Sequence, residues 1–181
     1  MILLDPDLEP HPAPTRTTAT RASAPGLSAH PRKHRLPSAR TLSAFLRQAQ
    51  SAARLRGQVT VLLTTDAAIR RLNRQFRGKN KATDVLSFPA EGVGAEQIAG
   101  DLAISVPTAL RQAIERGHSL STEVKVLMLH GLLHLAGYDH ETDTGQMARR
   151  ERLLRNRLGL PHGLIERTGE PGPRRSRGVR P

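Results

Sequence analysis

The chain has 181 residues, of which 37% are apolar and 2% aromatic, and it contains no cysteine. That is one ordinary domain with room for tails, and it excludes disulfides, thiolate catalysis, thiolate metal sites, and recognition by rows of stacked aromatics; no run reaches the roughly 18 apolar residues of a membrane helix. Lys plus Arg number 28 against 16 Asp plus Glu, a net charge of +12 that points to a polyanionic partner, although half of the excess lies in tail-like sequence at the two ends.

Met1 to Leu4 is a short apolar start that reads as an edge strand (1–5). Residues 6–38, rich in Pro, Ser, Thr and Ala, read as a disordered insertion. The absence of acids over 11–40 superficially resembles a transit peptide, but Asp5, Asp7 and Glu9 argue against one, and the expected location is the cytoplasm. Leu42, Phe45, Leu46, Ala49 and Ala53 recur at helical spacing over 40–55, and Gly57 stops that helix. Gln58 to Thr64 is a β-branched, apolar strand. Thr65 or Asp66 then caps a helix to about Phe76, followed by a loop over 77–81. Asp84 to Phe88 is a second strand, ended by Pro89, and Ile98 to Ser105 a third after a Gly-rich connection. Pro107 opens a helix to about Arg116. Ser121 and Glu123 start the longest apolar helix, Val124 to Ala136, which Gly137 ends. A last helix runs from about Thr144 to Leu158, and residues 166–181 form a second disordered, basic tail. Strands and helices are intermixed over 39–165, so the class is α+β or α/β, one domain.

Three of the eight histidines fall within eleven residues, as His130-Gly-Leu-Leu-His134-Leu-Ala-Gly-Tyr-Asp-His140. Positions i and i+4 share a helix face one turn apart, so two imidazoles there occupy adjacent corners of one coordination sphere. Gly137 breaks the helix and allows His140 to return to the same point. Three neutral imidazoles leave one corner open for water, as in catalytic rather than closed structural zinc sites, and a cation held there acidifies its water to a pKa of roughly 7. Such ligands suit zinc, nickel and copper alike. A zinc peptidase requires Glu directly after the first histidine; Gly131 stands there, so that reading is set aside.

Residues 70–81 hold six cations and no acid: Arg70, Arg71, Arg74, Arg77, Lys79 and Lys81. Such a run is usually a solvated face, but beside a metal it would hold a phosphodiester and offset its developing charge.

Together these segments resemble the YbeY family, bacterial metal-dependent endoribonucleases of rRNA maturation. The resemblance rests on Leu72-Asn73, Arg77-Gly78-Lys79, Thr83-Asp84-Val85-Leu86-Ser87-Phe88-Pro89, Gly100-Asp101, the block from His130 to Glu141, and a closing helix over Met147 to Leu160. Asn80 and Ala82 stand where Asp and Pro are common, and the stretch at about 6–38 is longer than is typical of the family. The resemblance implies an α+β domain with a mixed, roughly four-stranded sheet and the histidine pair on a central helix. It implies one divalent ion, of which zinc is the expected one, on His130, His134 and His140, and an essential cleft arginine at the position of Arg77. Its implied activity is hydrolysis of single-stranded RNA in small-subunit rRNA maturation and ribosome quality control, with rRNA and ribosomal or small-subunit proteins as partners and no membrane.

On that reading Arg77 holds the phosphate, and Asp139 or Glu141 orients an imidazole from behind. Arg70, Arg71, Arg74, Lys79 and Lys81 are candidates for RNA binding. Asp84 and Asp101 read as local structural carboxylates before cleft groups, Tyr138 as packing, and His118, in a polar Gly-His-Ser turn, as surface. No general base is assigned, and the oligomeric state is not fixed. Two alternatives compete: a non-catalytic ribosome-assembly factor with a structural metal, and a metallohydrolase of another phosphate ester.

Overall fold

The computed structural model describes residues 1–8, 35–90, 97–139 and 143–161. Most of the expected insertion and the whole of the stretch over 166–181 lie outside them. β1 (Ile2–Leu4) is followed by a single 3-10 turn, Pro6–Leu8. Ser38 opens α1 (Ala39–Ala53), its hydroxyl accepting from the Thr41 N–H at 3.2 Å. β2 (Gln58–Thr64) leads to α2 (Asp66–Arg77), which Thr65 caps by accepting from the Ala68 N–H. β3 (Val85–Pro89), β4 (Ile98–Ser105) and α3 (Val106–Glu115) follow. α4 (Leu120–Leu135) and α5 (Gln146–Arg157) complete the domain.

The four strands form one mixed sheet in the order β1-β2-β4-β3. β1 and β4 both run parallel to β2, and β3 runs antiparallel to β4 at the open edge. Because side chains alternate along a strand, Val59, Val61, Leu63, Leu102 and Ile104 meet α1 and α4 on one face. Leu86 and Ala103 meet Ile69 of α2 on the other. α4 is apolar on almost every side, with ten of its sixteen residues buried, and it packs against α1, α3, α5, β3 and β4. A helix that is apolar all round belongs inside a domain, which makes it a rigid carrier for its histidines. Among the described residues no helix is long and apolar enough to cross a membrane.

Gly100 lets β3 and β4 close on each other. Its φ is +140°, and a Cβ there would lie 2.3 Å from the Phe88 carbonyl oxygen.

Three expectations change at helix starts. α4 begins a turn earlier than Val124, capped by Ser119, whose hydroxyl accepts from the Thr122 N–H at 3.1 Å. α5 begins at Gln146 rather than Thr144. Glu123 is not a capping carboxylate. It is fully buried, ion-paired with Arg116 and in hydrogen-bond contact with His118 Nε2, so His118 is not a plain surface residue. A buried carboxylate requires partners, and the polar turn before α4 supplies them by folding back over it.

Candidate active site

The site is assembled where α4 passes the open edge of the sheet. His130 and His134, one turn apart on α4, turn their Nε2 atoms toward each other at 3.2 Å, with ring centroids 4.9 Å apart and an interplanar angle of 71°. Between them Gly131 allows close contact with the sheet. A Cβ there would meet Leu102 Cδ2 at 2.7 Å and Ser87 Oγ at 3.2 Å. The glycine that sets the peptidase reading aside is therefore also a packing requirement.

Behind His130 stands α5. His130 Nδ1 lies 3.1 Å from Glu151 Oε2, while Glu151 Oε1 accepts from Arg155 Nε at 2.9 Å and from Arg155 Nη2. Burial pushes the Glu151 carboxyl up, but the His130 hydrogen bond and the Arg155 charge outweigh it and hold the group below its ordinary value. An ionised carboxylate only accepts, so in this contact His130 Nδ1 is the donor, and Nε2 is the ring nitrogen turned toward His134. Two nitrogens on a tetrahedral zinc, each about 2.0–2.1 Å from it, stand about 3.3–3.4 Å apart. The pair observed here fits such an ion.

His140 and Glu141 lie outside the described residues, and among the described residues no group of three His, Cys, Asp or Glu is placed to hold a metal. The flanks of that segment are nevertheless fixed. Gly137, at φ +86°, donates to the His134 carbonyl, and the Tyr138 N–H donates to the Leu133 carbonyl, both at 3.0 Å. On the far side the Asp143 N–H donates to the Asp139 carbonyl at 3.0 Å, and the Asp143 carboxylate accepts from the first N–H groups of α5.

The imidazoles open into a cleft of about 370 Å³ whose other walls include Asn73, Arg77, Lys79, Asp84 and Ser87. A second lobe of about 340 Å³ shares Arg77, Ser87 and His134 and continues past Pro89, Tyr138 and Asp139. Arg77 is the last residue of α2, beyond which the Gly78 and Lys79 N–H groups donate back to the Arg74 and Asn73 carbonyls. The buried Asn73 amide donates to the Lys81 carbonyl at 2.7 Å, clamping the loop on which Lys79 sits.

The cationic candidates separate into groups. Arg77 and Lys79 line the cleft with the histidines. Arg70, Arg74 and Arg77 follow one another at i, i+4 and i+7, a single face of α2. Arg71 instead lies near Asp5, whose carboxyl the Thr64 hydroxyl, the Asp7 amide and then the Arg71 charge hold below its usual value. Lys81 is exposed, and it enters the site only through its carbonyl. Among the described residues Arg70, Arg74, Arg77, Lys79 and Lys81 take part in no ion pair.

Asp84 lines the cleft but engages its oxygens with the Val85 N–H, the Thr83 hydroxyl and the Gln112 amide. Asp101 is exposed on β4 opposite Phe88. Tyr138 packs on the main core while lining the second lobe.

Comparison with known proteins gives this arrangement a family. Residues 31–159 match the family model described as Endoribonuclease YbeY. The chain belongs to the YbeY family. An Endoribonuclease YbeY from Koribacter versatilis is 55% identical over 134 residues, 74% of this chain and 86% of the relative. One from Solibacter usitatus is 58% identical over 106 residues, 59% of this chain and 69% of the relative. The solution structure of TM1509 from Thermotoga maritima aligns at 26% identity with a TM-score of 0.49, over 77% of this chain and 96% of its own.

Two residues of this YbeY-family site escape a reading of the sequence. Asn73 belongs to a matching block but carries no charge, and only the loop it clamps shows its use. Glu151 sits in an arginine-rich helix, 21 residues after His130, where a carboxylate reads as part of a solvated face.

Proposed function

We propose that this chain is a metal-dependent endoribonuclease that cleaves single-stranded RNA, acting in the cytoplasm on rRNA during small-subunit maturation and ribosome quality control. The observation that carries the reading is the convergence of the two Nε2 atoms, 3.2 Å apart, in a cleft that Arg77 also lines. His130, His134 and, by its position in the motif, His140 would hold the ion, with zinc expected. Such an ion supplies Lewis-acid polarisation of a phosphoryl oxygen or of water.

The protein's own groups do the rest. The Arg77 guanidinium presents a planar fork that matches two phosphate oxygens and offsets the negative charge that grows on them. Lys79 adds a second cation to the lining of the cleft. Glu151 faces Nδ1, the far side of the His130 ring, and is already paired with Arg155, so it is not a base for the reacting phosphate. Asp84 is likewise committed to its own neighbours. A single strand, whose bases and backbone can splay, enters such a cleft more readily than a paired helix does.

The test is an assay of single-stranded and duplex RNA with wild type, His134→Ala and Arg77→Ala, together with metal content. The reading expects cleavage of the single strand by wild type alone, with metal lost only from His134→Ala. Bound metal without cleavage by wild type supports the assembly-factor alternative, and equal cleavage by all three proteins contradicts the reading. A 2′,3′-cyclic phosphate end on the product identifies the ribose hydroxyl as nucleophile.

A further inference from the structure

The imidazole pair is served by an element remote in sequence. α5 is anchored by Met147 and Leu154, which are 1% and 0% exposed, and from this fixed helix Glu151 reaches His130 Nδ1. The Glu151 side chain is 13% exposed and the Arg155 side chain 18% exposed. Arg155 engages one carboxylate oxygen of Glu151 through two nitrogens, and its Nη1 donates to the Pro161 carbonyl at 3.3 Å. The two oxygens of Glu151 are thus divided between two partners. Oε2 receives the imidazole N–H, and Oε1 is held by the guanidinium.

We infer that Glu151 and Arg155 are positioning residues for the metal site, Glu151 fixing the His130 ring with its proton on Nδ1 and its Nε2 lone pair aimed at the ion, and Arg155 fixing Glu151. This inference rests on the metal reading above and adds to it a determinant of affinity that comes from α5. A neutral imidazole has two tautomers, and only one leaves Nε2 free to ligate. A carboxylate behind Nδ1 selects that tautomer and makes the ring a stronger donor. A carboxylate on a flexible arm would lose rotamer entropy in doing so, and the two-point grip of Arg155 removes most of that freedom in advance.

The two helices thereby contribute different things. α4 carries the ligating nitrogens, and α5 carries the charge that orients one of them. Glu151 also keeps the local charge balanced, because the Arg155 cation would otherwise lie close behind a site that must accept a divalent ion. Removing Arg155 alone leaves the carboxylate in place but free to turn; removing Glu151 leaves Arg155 with nothing to act on.

The experiment is zinc binding by the full chain, read as a dissociation constant by chelator competition. The Co2+ absorption spectrum serves as a second readout, and the thermal midpoint of the metal-free protein is measured for each variant. Wild type is expected to bind zinc and His134→Ala to lose it. Glu151→Ala is expected to weaken binding by about 10- to 100-fold. Glu151→Gln, isosteric but uncharged, is expected to weaken it less. Arg155→Met is expected to fall between wild type and Glu151→Ala, and the double variant Glu151→Ala/Arg155→Met to bind no more weakly than Glu151→Ala alone, since one residue acts through the other. The cobalt spectrum of the Glu151 variants should shift while the metal-free midpoint of Glu151→Gln stays near that of wild type.

Zinc binding by wild type that is equally tight in Glu151→Gln and Glu151→Ala overturns this inference and leaves the metal reading standing. A lowered metal-free midpoint with unchanged affinity of the folded variants shows a structural role only, and also overturns it. Failure of wild type itself to bind zinc overturns the metal reading and this inference with it.

Discussion

At the residue scale, Arg77 is set apart from its basic neighbours by where its helix stops. It is the last residue of α2, it lines both lobes of the cleft, and no carboxylate among the described residues pairs with it. A guanidinium left free at the end of a helix is available to an anion. Lysine there keeps the charge but loses the planar fork. Arg77→Lys should therefore retain zinc and fold normally while kcat on single-stranded RNA falls roughly 10- to 100-fold; single-turnover kinetics beside metal analysis would check this, and an unchanged kcat would contradict the role. The histidine pair was legible in the sequence because its meaning is local, a spacing of four on an apolar helix, whereas Arg77 was set apart from the basic run only by the family resemblance. Glu151 and Asn73 were not legible. Their partners lie across the fold or across a loop, and nothing in Arg-Arg-Glu-Arg-Leu distinguishes a carboxylate that faces an imidazole from one that faces water.

At the scale of elements, the strands were legible almost to the residue: β2 is a β-branched, apolar run that ends at the cap of α2, and β4, with Gly100 and Asp101 inside it, ends just before the Pro107 that opens α3. The start of α4 was not, because two serines compete for the cap and burial of Glu123 depends on the turn before it. The β3–β4 pair carries a sharper consequence. Gly100→Ala places a side chain at φ +140° against the Phe88 carbonyl oxygen. Strain and overlap together should cost about 2–5 kcal/mol, read as a lower urea midpoint with an unchanged m-value. The junction between α2 and α3 adds a dependence on acid. Burial raises the Asp66 carboxyl, but hydrogen bonds from Ser105, Thr108 and Arg111 outweigh it and leave the value lowered from 3.8. A carboxyl with a lowered folded value contributes stability above 3.8 and loses it as the pH falls through the folded value. Unfolding midpoints should therefore drop as the solution is acidified from about pH 5 to about pH 3 and below, and Asp66→Asn should flatten part of that drop.

At the scale of the molecule, the cations are distributed by direction. Arg70, Arg74 and Arg77 make one row along α2 leading to the histidines, with Lys79 beside its end, whereas Arg116, Arg111 and Arg155 are paired with Glu123, Asp66 and Glu151. The total of +12 did not reveal this division, because a sum of charges carries no direction. If the free row tracks the phosphates of a single strand, its four cations should give a slope of log affinity against log salt of about −3. Arg70→Ala/Arg74→Ala should make that slope shallower by about 1.4 while the zinc content stays intact. An unchanged slope would remove the row from the interface.

Everything proposed for the cleft depends on His130 and His134 sharing one divalent ion. Zinc stoichiometry of the purified chain, measured for wild type and His134→Ala after identical loading and dialysis, addresses that most directly. One zinc per wild-type chain and none on the variant is the predicted result; full retention of zinc by His134→Ala would contradict it.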